Sequence, residues 1–258
     1  LAAVGSVVAT SVAGPHGLLA VGARVALLGD RVRLAAVRYG EADAAVDALL
    51  DGVDPAVRGV AGALGALGAV SPLLRESRSV TVGPVTSPVR VRPPRGLADL
   101  LAMGPVAGGG REPAQGTVRV DRIVGPDGRR AWIVAIPGTQ DWSSRPGTNP
   151  FDLTGDVHLM AGRDTAAAHG VLAAMERAGV VGGEPVLLVG HSQGGLVAAR
   201  LASDQGVLAR YAVTHVVTSG APVAGFEIPA SVRVLSVEHT DDLVPQLDGR
   251  RNPAADGG

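Results

Sequence analysis

The chain contains no cysteine and no lysine. The first absence excludes a disulfide framework, a zinc–thiolate site and a cysteine nucleophile, and it suits any redox compartment. The second leaves all 23 basic residues as arginine against 24 acidic ones, for a formal net charge of −1. Nothing in that balance favours nucleic acid or an anionic membrane as a partner. Aromatic residues are also scarce, at 2% of a chain that is 46% hydrophobic. Its core must therefore be packed from Val, Leu and Ala, a usage typical of GC-rich bacterial genomes. Long apolar runs are missing as well. Residues 1–23 carry no charge, yet Pro15 and His16 break a stretch that is otherwise mostly small residues. This argues against a membrane span, and a secretory signal here would lack its basic start.

With 258 residues the chain can bury one substantial core and a smaller appendage. From Leu18 to Val53 apolar residues recur in steps of three and four, the seam of a long helix, with Arg31, Arg38, Glu41 and Asp47 on the opposite face. Gly52 and Pro55 end it. Such a seam needs a partner, and residues 1–13 supply one through the turn Gly14-Pro15-His16-Gly17, so residues 1–70 read as a helical hairpin. Residues 71–114 are rich in Pro, Gly and Arg and read as a linker, with extended pieces at 79–82 and 89–92.

From about 115 onward strands and helices alternate. Strands are expected at Thr117–Val124, Arg130–Ile136, Pro185–Val189, Ala212–Thr218 and Val232–Val237, and helices at 157–178 and 194–204. That order implies a mainly parallel sheet with flanking helices. Ligand sites of such sheets lie at the carboxyl ends of the strands.

One strand end carries a specific motif. Gly190-His191-Ser192-Gln193-Gly194-Gly195 follows the apolar run Pro185–Val189 and precedes the helix-like Leu196–Leu201. This is a Gly-x-Ser-x-Gly nucleophile elbow in its strand–turn–helix setting, the hallmark of the α/β-hydrolase fold. A serine on so sharp a turn leaves no room for side chains two residues to either side, hence Gly190 and Gly194. The turn lifts the Ser192 hydroxyl above the sheet, where it can attack a carbonyl. The bland alternative is a tight glycine-rich turn that binds a phosphate or nothing.

A serine nucleophile needs a base, and the base needs an orienting acid, which on this fold follows a late strand. After Val232–Val237 comes Glu238-His239-Thr240-Asp241-Asp242-Leu243-Val244-Pro245, so Asp241 and Asp242 are the candidates. The run His-Thr-Asp-Asp-Leu-Val-Pro resembles the acid loop of class 3 (fungal-type) lipases. There the Asp before an aliphatic-Val-Pro triplet is catalytic, and the resemblance carries that role onto Asp242. Ser219-Gly220-Ala221-Pro222-Val223-Ala224-Gly225 resembles the same family's Gly-x-Pro-x-x-Gly strand end, and Pro137-Gly138-Thr139 its oxyanion segment. The likeness covers residues 117–250. It departs from the family at Pro137, where the family has Arg, and at Gln193, where it has Leu.

An oxyanion hole needs two preorganised donors. The elbow presents the Gln193 backbone N–H, and Thr139 supplies the second through its N–H and its hydroxyl. Residues 140–158, with Trp142 and Phe151, follow where class 3 lipases carry a lid, and an apolar-tipped loop there could meet an acyl chain.

The base is the missing part, because none of the six histidines follows Asp242. His191 occupies the variable elbow position and reads as a packing residue. His215 lies within a strand, His239 stands at the mouth of the sheet, and His158 follows the oxyanion loop. The expectation is a chain cut before its catalytic His, with 115–258 a truncated hydrolase domain. Rival readings recruit His239 or His158 as the base, or make the chain an inactive relative.

Together these readings predict a serine ester hydrolase acting on an apolar acyl ester, with no cofactor or metal implied. An acyltransferase or peptidase could use the same triad. The contrasting class is a non-catalytic module whose hairpin serves self-association or a secretion partner. Tyr39-Gly40-Glu41-Ala42-Asp43 resembles the Tyr-x-x-x-Asp/Glu signal of the small helical-hairpin proteins of actinobacterial type VII secretion, although the turn lacks that family's Trp-x-Gly. Secretion or the cell envelope is the favoured location.

Overall fold

The computed structural model describes residues 80–85, 92–103, 115–142, 147–239, 242 and 244–248. The hairpin expected over 1–70, most of the segment 71–114, and Asp241 lie outside the described residues.

The described chain has a mixed α/β fold built on a five-stranded sheet in sequential order. Strand β1 (Arg119–Val124) runs antiparallel to β2 (Arg130–Ile136). Their turn is closed by Gly125 N–H donating to the Arg129 carbonyl at 2.8 Å. Strands β3 (Pro185–His191), β4 (Ala212–Ser219) and β5 (Arg233–Val237) then add in parallel. Parallel strands laid down in sequential order by right-handed crossovers put their helices on one face of the sheet. Those crossovers are α2 (Leu153–Met160) and α3 (Ala166–Ala178) between β2 and β3, then α4 (Gln193–Ser203) and α5 (Gln205–Arg210) between β3 and β4.

Side-chain alternation along the strands sorts the core. Trp132, Val134, Ile136, Val186 and Leu188 pack with Val171, Met175, Val197 and Leu201 from the helices. The intervening Ile133, Val189 and Val217 face the other way. A register shift between Val186 and Leu187 opposite β4 changes the parity there, so Val213 and Val216 both reach the helical side. The opposite face is covered by a helix within the Pro/Gly-rich segment, Leu97–Leu101 (α1), where Leu100, Leu101 and Met103 pack on Ile133, Val189 and Val217.

The expected strands all form, with ends shifted by up to two residues. The helix expected over 157–178 is two helices. Gly162 adopts φ +70° after α2, and Thr165 starts α3 by accepting the Ala168 N–H at 3.2 Å. A capping threonine inside an apolar pattern restarts a helix rather than continuing one. Gly179, at φ +84°, closes α3. The short α5 was not anticipated. Asp204 caps it, accepting from the Gly206 and Val207 N–H groups.

Candidate active site

The carboxyl ends of β2, β3, β4 and β5 bring four loops side by side. The β3 end is the most tightly specified. Ser192 has φ +52° and ψ −122°, and it is the one non-glycine residue with positive φ among those described. A non-glycine residue in that region costs on the order of 1–3 kcal/mol and persists only where its surroundings over-determine it. Here they do. A Cβ on Gly190 would strike the Gly194 backbone, and one on Gly194 would strike the carbonyls of Ile136 and Pro137. Gly195 is as crowded against Ala221 and Thr218. The first turn of α4 is thus pressed onto the ends of β2 and β4, and Ser192 absorbs the bend. Its N–H donates to the Ser219 carbonyl at 2.9 Å, fixing the turn to β4.

Ser192 stands at the N-cap of α4, where a serine ordinarily turns its hydroxyl back onto the helix. Its side chain makes no capping hydrogen bond. The strained dihedrals direct it elsewhere. Gln193 N–H heads the same helix, among the first donors that no intrahelical carbonyl can accept. Ser192 and the Gln193 N–H thus stand together where β3 turns into α4.

The β2 end supplies the facing loop. A Cβ on Gly138 would lie 3.0 Å from the His191 carbonyl, 3.1 Å from His191 Nδ1 and 3.4 Å from the Ser192 Cβ. Pro137–Thr139 thus lies directly against the elbow. The Thr139 hydroxyl departs from expectation. It donates to Asp156 Oδ2 at 2.8 Å, which ties it back to α2 and leaves the backbone N–H as the donor available to a substrate. Desolvation pushes the Asp156 carboxyl up to about 7, the Thr139 hydrogen bond opposes the rise, and the nearby Asp152 charge adds to it. Asp152 is also raised, chiefly by burial and partly by Asp141, while its bond from Gly155 N–H works against the shift.

Gln193 is fully buried, and its side-chain amide donates to the Asp152 carbonyl at 2.6 Å. Its Oε1 has no partner, nor has the neighbouring α2 hydroxyl of Thr154. The residue after the serine thus binds the elbow to the start of α2. Sequence reasoning singled out Gln193 for its backbone alone. The one sign of a side-chain role was its departure from Leu. Asp156 was missed because an acid in the first turn of a helix ordinarily answers the helix dipole from the surface.

In the segment 140–158, expected as an apolar-tipped flap carrying Trp142 and Phe151, the two aromatics have different surroundings. Gln140 and Asp141 N–H both donate to the Phe151 carbonyl, at 2.8 and 3.1 Å, which closes the segment at its base. Phe151 is 1% exposed and belongs to the core, whereas Trp142 is 51% exposed. Of the two aromatics, Trp142 is the one exposed to meet a ligand.

The β5 end carries Asp242. Its Oδ1 accepts the Val244 N–H at 2.9 Å, and its own N–H donates to the His239 carbonyl at 3.1 Å. Its Oδ2 reaches over the β4 end, 3.0 Å from where a Cβ on Gly220 would stand. One oxygen is held by the acid's own loop and the other projects over the neighbouring strand. His191 meets the same place, with Nε2 at 3.6 Å from that Gly220 position. It is exposed rather than packed away, contrary to the sequence expectation, because β3 runs on through it to the sheet edge.

Among the described residues no group of three or more His, Asp or Glu side chains could hold a metal ion. No helix among them is long and apolar enough to cross a membrane. No family model, curated protein or solved structure matches the chain.

Proposed function

We propose that the chain is a serine hydrolase of the α/β-hydrolase type, cleaving carboxylic esters with an apolar acyl group. The observation that carries this reading is Ser192 itself, strained at φ +52°, at a helix N-terminus and without a capping bond. Strain of that kind is retained where it serves a site.

In this reading Ser192 Oγ adds to the ester carbonyl carbon as a base takes its proton. The carbonyl oxygen becomes an oxyanion held by the Gln193 and Thr139 backbone N–H groups. Collapse of the tetrahedral intermediate breaks the ester C–O bond, and the protonated base gives its proton to the departing alcohol. Water then releases the acyl group from Ser192 by the same steps. The base is an imidazole seated between Ser192 Oγ and Asp242 Oδ2, with Asp242 setting its tautomer. The likeness of residues 117–250 to class 3 lipases and the exposed Trp142 beside the oxyanion loop favour an apolar acyl group.

The test is covalent labelling with a fluorophosphonate, mapped by mass spectrometry, with hydrolysis of a short-chain nitrophenyl ester alongside. Label is expected on Ser192. Ser192→Ala should abolish it and lower kcat by up to about 10⁶-fold. Labelling that survives in the variant overturns the nucleophile. A folded protein that carries an imidazole base and still takes no label favours the non-catalytic module.

A further inference from the structure

The histidine next to the nucleophile lies where two catalytic loops meet. The His191 ring is bracketed by two glycines on neighbouring strand ends. On the β2 side its Nδ1 lies 3.1 Å from the position a Gly138 Cβ would take. On the β4 side its Nε2 and Cδ2 lie 3.6 and 3.8 Å from the corresponding position at Gly220. Gly220 has φ +55°, so a side chain there is disfavoured by backbone as well as by space. Two missing side chains thus make a slot one imidazole wide. Asp242 Oδ2 closes on the same Gly220 position, at 3.0 Å. The slot therefore has the oxyanion loop at one end and the acid loop at the other.

We propose that His191 is a positioning residue that keys these two loops together, its Nδ1 edge against Gly138 and its Nε2 edge toward the Asp242 carboxylate. The inference rests on the serine-hydrolase reading for its catalytic meaning, but not for its geometry. Asp242 Oδ1 is already committed to the Val244 N–H. A donor beside Oδ2 adds a restraint on the carboxylate's rotation, and with it on the direction in which a base would be oriented. The ring also sets the distance between Gly138 and Gly220, and so the opening in front of Ser192. The β5 end brings titratable groups to this side of the sheet, with Asp242 at the Gly220 position and Glu238 and His239 directly after the strand.

The experiment is a pH titration of the His191 ring nitrogens by ¹⁵N NMR in the 258-residue chain and in Asp242→Asn, paired with fluorophosphonate labelling rates for His191→Leu and His191→Gln. Asn preserves an acceptor for the Val244 N–H, so the loop is retained while the charge is lost. The His191 midpoint is expected to fall by roughly one pH unit in Asp242→Asn, because an adjacent carboxylate favours the imidazolium. His191→Leu is expected to slow Ser192 labelling about tenfold, and His191→Gln, which can still donate, to recover part of that loss. An unchanged midpoint overturns the inference whatever the kinetics, and so, where the wild type takes label, does a His191→Gln rate no better than that of His191→Leu. The titration reads the His191–Asp242 contact even in a chain that takes no label, so failure of the hydrolase reading is seen separately, as the absence of Ser192 labelling.

Discussion

The Ser192 side and the Asp242 side of the sheet edge are held by different means. At the end of β3, Gly190 and Gly194 let backbone meet backbone, Gly195 makes room for the Ala221 and Thr218 side chains, and Ile136, Val189 and Val217 around them are nearly or fully buried. At the end of β5, Val234 and Leu235 are 43% and 44% exposed although they point to opposite faces of the sheet. The acid is placed there by short hydrogen bonds within its own loop, Val244 N–H to Asp242 Oδ1 and Asp242 N–H to the His239 carbonyl. The serine is thus positioned by steric exclusion, which tolerates almost no substitution. The carboxylate is positioned by polar contacts, which tolerate any residue that keeps them.

The sharpest test of that contrast acts on the acid. Asp242→Asn keeps the loop bonds and should leave the thermal midpoint nearly unchanged, while ester kcat falls by about 10⁴ through the wrong imidazole tautomer. Asp241→Asn should cost little. Reversed costs would move the acid by one residue. Gly194→Ala is the converse case, acting on fold before chemistry. Its methyl group would meet the Ile136 and Pro137 carbonyls, and overpacking against backbone should cost about 3 kcal/mol or more in urea unfolding. A variant as stable as wild type would mean that the elbow relaxes freely.

A smaller effect is expected behind the oxyanion loop, where the Thr139 hydroxyl meets Asp156. The Asp156 carboxyl is pushed up to about 7 in the folded chain from an ordinary value of 3.8. A group that binds its proton more tightly when folded makes stability fall as pH rises through that window and level off above it. Asp156→Asn has no proton to lose, so it should be the more stable form at pH 9 by roughly 2 kcal/mol and nearly equal at pH 4. This is about half of what such a rise represents for a fully desolvated group. Denaturant midpoints at the two pH values decide it, and a gap of the same size at both would show that Asp156 is ionised throughout. The smallest change belongs to the open strand. Leu235→Thr should shift unfolding by no more than about 0.5 kcal/mol, and a large loss would mean that β5 is covered.

Legibility in the sequence follows the same division. The strands and the elbow were readable because apolar alternation and close-approach glycines are local signals, each tied to one backbone geometry. The interruption at Gly162–Thr165 was readable in principle. It was passed over because the alanines on either side continue a helical pattern, and propensity is a weak guide beside a capping threonine. What could not be read was what residues distant in sequence do to one another. Nothing local says that the Gln193 amide reaches the Asp152 carbonyl, that Thr139 gives its hydroxyl to Asp156, or that His191 shares a glycine with Asp242. Phe151 illustrates the same limit, since an aromatic residue after a Pro in a polar loop suits a lid and a core equally well, and only the neighbours that surround it decide.

The bend at Ser192 has a consequence for how molecules of this protein could be counted. A residue held at φ +52° by packing alone returns to ordinary backbone angles once that packing is lost. On the proposed reading its reactivity is then a property of the assembled sheet and not of the Ser-containing peptide. A covalent probe that marks this serine would register intact molecules and pass over unfolded ones, turning the nucleophile into a census of the native population along a denaturant series.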